Sequence, residues 1–124
     1  MISSLYAALG EVSDTVTFSD TVDVLVRVTY WHAEAWRVRL AGIDAPEMRT
    51  REGPPAKEHL AALIVAAKRL RIAVRVSDRN EIVKDKFGRI LAELRDAAEA
   101  VSLNERMVKD GFAREYHGER RTAP

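Results

Sequence analysis

Hydrophobic and polar positions alternate most clearly between Val22 and Thr29, where Val22, Val24, Val26 and Val28 are interleaved with Asp23, Leu25, Arg27 and Thr29. A period of two with β-branched residues on one side predicts a strand with one buried face. Trp36, Val38 and Leu40 mark the same face of a following strand, and Tyr30–Ala35 must reverse the chain between them. A hairpin centred on His32 pairs Val28 with Trp36, Val26 with Val38, and Val24 with Leu40. The same register sets Asp20 opposite Asp44, two like charges that repel unless a cation lies between them.

The second strand runs into Val-Arg-Leu-Ala-Gly-Ile-Asp-Ala-Pro-Glu, from Val38 to Glu47. Asp44 and Glu47 flank Pro46, whose ring keeps the backbone out of the helical region and gives both acids a stiff frame. Strict alternation puts Arg39 on the face opposite Asp44, so a bulge or kink near Gly42 is needed to bring them together.

Elsewhere the pattern is coarser. Residues 1–10 read as a lead-in or a short helical turn, and Glu11–Phe18 as a first strand. After a charged loop from Arg49 to Gly53, Pro54 and Pro55 open a helix through about Lys68, with Ala56, Leu60, Leu63, Ile64 and Ala67 on one face. His59 within it reads as a surface residue. Leu70–Val76 is a strand whose Arg69, Arg71 and Arg75 form a solvated basic face, and Ile90–Leu94 is a short strand. Between them, Lys84, Lys86 and Arg89 make an anion-attracting loop. Ser102 and Glu105 form a capping box for a helix that Gly111 stops.

The 124 residues fit one domain, and 47% hydrophobic with 31% charged residues is an ordinary globular composition. The absence of cysteine excludes disulfides, thiolate metal sites and cysteine nucleophiles. A net charge of +1 gives no global attraction to nucleic acid, so such binding would need local clustering. The longest apolar run, Leu60–Ala67, is too short to span a bilayer, and the first residues lack the charge and apolar core of a secretory signal. A cytoplasmic location in a bacterium or on a phage-encoded protein is the resulting expectation.

Several stretches together resemble the thermonuclease, or staphylococcal-nuclease-like, domain family. They are Asp20-Thr-Val-Asp-Val, the Val38–Glu47 motif, the helix after Gly53-Pro54, Asp85-Lys-Phe-Gly-Arg89, and Asn104-Glu105 through Gly111-Phe-Ala113. They occur in the family's order, and the long hairpin is similar to the phage and bacterial branch. The resemblance implies an α+β, mainly β, fold: a five-stranded OB-fold barrel with two packed helices and without the family's last helix. Residues 1–15 would be lead-in and the start of the first strand, residues 16–117 the nuclease-like domain, and residues 118–124 a polar tail.

The resemblance also implies a calcium-dependent endonuclease, a hydrolase of phosphodiester bonds in DNA and/or RNA that leaves 3′-phosphates. Asp20, Asp44 and the carbonyl of Ala45 would hold calcium, Glu47 would activate water, and Arg39 and Arg89 would hold the phosphate. Lys86 and Tyr116 would contact the nucleic acid. Phe18-Ser19 departs from the acidic pair that the family carries before its first metal aspartate. A monomer acting on DNA or RNA, with no membrane partner, completes the expectation. The alternatives are a catalytically idle nucleic-acid-binding OB module and a protein-interaction barrel with a structural calcium site.

Overall fold

The computed structural model describes residues 5–17 and 19–116, so the first four residues of the expected lead-in, Phe18, His117 and the tail at 118–124 lie outside the described residues. The chain runs β1 (Leu5–Thr17), β2 (Thr21–Thr29), β3 (His32–Leu40), β4 (Ile43–Asp44), α1 (Gly53–Ala66), β5 (Leu70–Val76), β6 (Ile90–Asp96), α2 (Leu103–Lys109) and β7 (Arg114–Glu115). It is a mostly sheet α+β fold.

β1 is long enough to serve two neighbours. Its first half pairs with β5 and its second half with β2, with register shifts between Ala8 and Gly10 and between Val12 and Asp14. Such shifts bend a strand and raise its twist, which lets one strand pass from one partner to the other. The order β1-β2-β3-β6-β5 therefore returns to β1 in a closed cycle of pairings, antiparallel except where β3 meets β6. The segment at residues 5–10, read from sequence as a lead-in, is the β5-pairing half of this strand. Local composition did not reveal it because its partner lies some sixty-odd residues away in the chain.

The β2–β3 hairpin differs from its expected register. Val22 pairs with Val38, Val24 with Trp36 and Val26 with Glu34, so the chain reverses at Tyr30-Trp31 instead of His32. Each strand keeps its predicted inner face because the shift is an even number of residues. Tyr30 and Trp31 stand exposed at the tip, packed edge to face, and Arg27 Nη1 donates to the Tyr30 carbonyl.

The core is built from alternate residues of these strands: Val22, Val24, Val26, Val38, Leu40, Ile72, Val74, Ile90, Ala92 and Leu94. Ala56 and Leu60 of α1 and Leu103 and Met107 of α2 pack onto the same cluster. Pro54 and Pro55 start α1, where the missing N–H groups cost nothing. Ser102 caps α2 by accepting from the Glu105 N–H at 3.1 Å. Gly111, at φ +87°, ends it.

Two polar side chains hold the frame from inside. Buried Asn104 donates to the carbonyls of Ala41 and Ala92 and accepts from the Leu94 N–H, tying α2 to the end of β3 and the middle of β6. Asp96, also buried, accepts from the backbone N–H groups of Lys68, Arg69 and Ala98. His59 is half-buried instead of surface-facing. Its Nε2 lies 2.7 Å from Asp110 Oδ2 and its ring stacks on Phe112 at 4.2 Å, closing α1 against the end of α2. Among the described residues no helix is long and apolar enough to cross a membrane.

Candidate active site

β3 delivers Arg39 to the rim of the sheet, and the chain then leaves the ladder. Leu40 N–H still bonds the Asp20 carbonyl at 2.8 Å, but Gly42 adopts φ +79° and β4 pairs with β7 instead. A left-handed backbone at this point favours glycine, and the turn re-aims everything after it. Asp20 and Asp44 are thus not opposed in the hairpin, since the register places Asp20 beside Leu40. They meet all the same through the kink. Arg39 Nη2 lies 3.7 Å from Asp20 Oδ2 and 3.6 Å from Asp44 Oδ1, with all three side chains largely withdrawn from solvent.

The cation expected between the two carboxylates is, in the chain itself, a guanidinium. Both contacts are longer than the ~2.7–2.9 Å of a tight charge-assisted hydrogen bond. Ala45 N–H reaches Asp20 Oδ2 at 3.4 Å, and Arg114 Nη2 reaches Asp44 Oδ2 at 3.4 Å. Carboxylate oxygens suit a hard divalent cation in donor type. Among the described residues no group of three or more acidic or histidine side chains gathers around a possible ion. Any ion held by Asp20 and Asp44 would take its remaining ligands from main-chain carbonyls, water or a phosphate oxygen.

Arg89 enters from the start of β6. Its Nε bonds Asp85 Oδ2 at 2.6 Å and its Nη1 donates to Thr21 Oγ1 at 2.9 Å, while the Thr21 hydroxyl also reaches Asp20 Oδ1 at 3.2 Å. Burial works to raise the Asp85 carboxyl. Hydrogen bonds from the Arg89 and Phe87 N–H groups and the Arg89 guanidinium outweigh it and hold Asp85 below the usual carboxylate range. The guanidinium is therefore anchored before any ligand arrives.

All eight residues singled out from the sequence, Asp20, Arg39, Asp44, Ala45, Glu47, Lys86, Arg89 and Tyr116, line one cleft of about 640 Å³. Arg39 lies over the Tyr116 ring at 5.5 Å, and Lys86 and Arg89 both lie near the Phe87 ring. Glu47 is exposed, and its Oε2 faces Arg49 Nε at 2.6 Å. Sequence reasoning missed Thr21, Asp85 and Arg75. Arg75 lines the cleft although alternation assigned it to a solvated face. Asp85 had a usable signal, four residues before Arg89 in a loop otherwise read for its cations.

Over 121 residues the chain is 30% identical to the uncharacterized protein MJ1439 of Methanocaldococcus jannaschii, an alignment covering 82% of this chain and 56% of that protein. The chain thus spans little more than half the length of that relative. Residues 37–123, well over half of the chain, match the family described as staphylococcal nuclease homologue. With the Val38–Glu47 motif, the Arg89 anchor and the sheet that brings them together inside the matched region or against it, the chain belongs to the staphylococcal nuclease homologue family.

Proposed function

We propose that this chain is a calcium-dependent phosphodiesterase that hydrolyses DNA and/or RNA endonucleolytically and leaves 3′-phosphate ends. The observation that carries the reading is the convergence of two carboxylates, two arginines, Glu47, Lys86 and Tyr116 on one cleft. The closed five-strand order supports an OB-fold barrel, and the long β2–β3 hairpin supports the phage and bacterial branch of the family.

Asp20, Asp44 and the Ala45 carbonyl would hold calcium, which when bound supplies positive charge to the phosphate oxygens. Arg39 and Arg89 hold the phosphate in line and stabilise the charge that grows on its equatorial oxygens, a task suited to a planar, bidentate fork. Water attacks phosphorus and its proton passes to Glu47, while the bond to the 5′-oxygen breaks and that oxygen takes a proton from solvent to leave as a 5′-hydroxyl. Arg49 engages Glu47 Oε2, so Oε1 receives the water's proton. Lys86 offers the backbone a screened point charge and Tyr116 a stacking surface.

The same Glu47–Arg49 pair favours a second reading, a catalytically idle nucleic-acid-binding module, because it turns the acid towards a neighbouring arginine. Digestion of plasmid DNA and of RNA in calcium, in magnesium and in chelator tests both. Cleavage in calcium that chelator abolishes is expected. Full activity in excess chelator removes the metal assignment, and binding without cleavage in calcium favours the idle module.

A further inference from the structure

Asp44, Ala45 and Glu47, which line the first cleft, also line a second, adjoining groove of about 970 Å³. That is the size of a pocket that encloses a small organic ligand or more. Arg49, Arg51 and Arg114 line it, with Pro46, Pro55 and Phe112 as apolar surface. Guanidiniums beside apolar surface match a phosphodiester backbone with its sugars and bases. The acids there are Asp44, Glu47 and Glu52. Two of the arginines are turned to this shared wall, Arg49 to Glu47 at 2.6 Å and Arg114 to Asp44 at 3.4 Å.

We propose that this groove is a second nucleic-acid subsite, which takes the nucleotides flanking the phosphate held in the first cleft, and that Arg114 couples it to cation binding. The proposal rests on the nuclease reading. A strand whose phosphate lies against Asp44–Glu47 must continue past that wall, and the groove is the adjoining space. Arg114 is the link because its guanidinium touches Asp44 while more than half of its side chain is exposed. A divalent ion on Asp20 and Asp44 repels a guanidinium that close to the carboxylate. Released from Asp44, Arg114 turns to the groove and shifts its charge towards binding phosphate.

Two measurements test this, using Arg51→Gln and Arg114→Gln, whose side chains are exposed enough to leave the fold intact. In calorimetric titration of calcium without nucleic acid, Arg114→Gln binds the ion about threefold more tightly or better, because a competitor is gone. Unchanged or weaker affinity overturns the coupling. Fluorescence anisotropy at saturating calcium then compares a labelled thymidine dinucleotide with an octanucleotide, both with phosphorothioate linkages to resist cleavage. The wild type prefers the octanucleotide by about tenfold or more, and each variant loses roughly threefold or more for it while the dinucleotide changes by less than about twofold. Equal losses for both lengths, or none for either, overturn the subsite. A wild type that binds neither oligonucleotide removes the nuclease reading as well, whereas octanucleotide binding that survives both substitutions removes only the subsite.

Discussion

Arg39 Nη2 lies 3.6 Å from Asp44 Oδ1, although alternation along a continuous strand would send these two side chains to opposite faces. Gly42, between them at φ +79°, turns the chain and makes the contact possible. Arg39 also faces Asp20, so one guanidinium answers two carboxylates. Replacing Asp44 by Asn should destabilise the ion-free protein by on the order of 1–3 kcal/mol, because a withdrawn guanidinium loses half of its compensation. Like-charge repulsion alone would have predicted a gain. Chemical denaturation in chelator reads the sign, and under the nuclease reading calorimetry should show weaker calcium binding by the same variant.

The two glycines flanking the acidic segment should respond differently to alanine. At Gly42 a Cβ meets nothing within 4 Å, so the cost is backbone strain alone, roughly 1–2 kcal/mol. At Gly53 the Cβ would overlap the Glu47 carbonyl and the Met48 backbone, so the turn that presents Glu47 must move. Gly53→Ala should therefore be the more destabilising, by about 2 kcal/mol or more. Thermal melts of the two variants side by side check the order.

Asn104 satisfies three backbone groups from a fully enclosed position. Asn104→Ala strands the Leu94 N–H and deprives the Ala41 carbonyl of a donor, for a cost of about 2–4 kcal/mol. Because Ala41 precedes the Gly42 turn, the calcium affinity that the nuclease reading assigns to the site should fall too. Full stability in urea titration would contradict the role.

Acid should destabilise the fold through Asp85, Asp96 and Asp110. Asp96 is held down by the N–H groups of Ala98, Lys68 and Arg69, and Asp110 by its bond to His59 and by the Arg106 charge. A carboxyl lower in the folded than in the unfolded chain contributes stability above its unfolded value, near 3.8, and loses it as pH falls through the lower folded value. Asp96→Asn should thus weaken the protein more at pH 7 than at an acid pH below 3.8, where the loss shrinks as the carboxylate takes up its proton. Equal losses at both pH values would assign the effect to packing.

Under the nuclease reading, Arg89→Lys keeps the charge but loses the fork that Asp85 and Thr21 hold in place. Turnover should drop on the order of a hundredfold, as when one preorganised donor is removed. Glu47→Gln should cost a similar amount with a smaller effect on calcium affinity. The double variant should lose less than the product of the single effects, since both act on one transition state. Single-turnover rates for the wild type, both singles and the double decide this, and strictly independent effects would break the shared-phosphate picture.

By itself the sequence determined the faces. Period-two alternation marks which side of β2, β3 and β5 is buried, the Ser102 box and Gly111 bound α2, and the acids and arginines of the site are legible as residue types. Face assignment survives an even slip, which is why Val22, Val24 and Val26 face the core as expected while the hairpin partners were displaced. Tertiary structure alone decided the register, the start of β1 at Leu5, and the meeting of Asp20, Arg39 and Asp44 through a glycine turn instead of a straight ladder. It also recruited Thr21, Asp85, Arg75 and Arg114, and drew His59 onto Asp110. Local periodicity reports which side of an element meets the core, but partners distant in the chain are chosen by the closure of the sheet, and no window of sequence contains both ends of that choice.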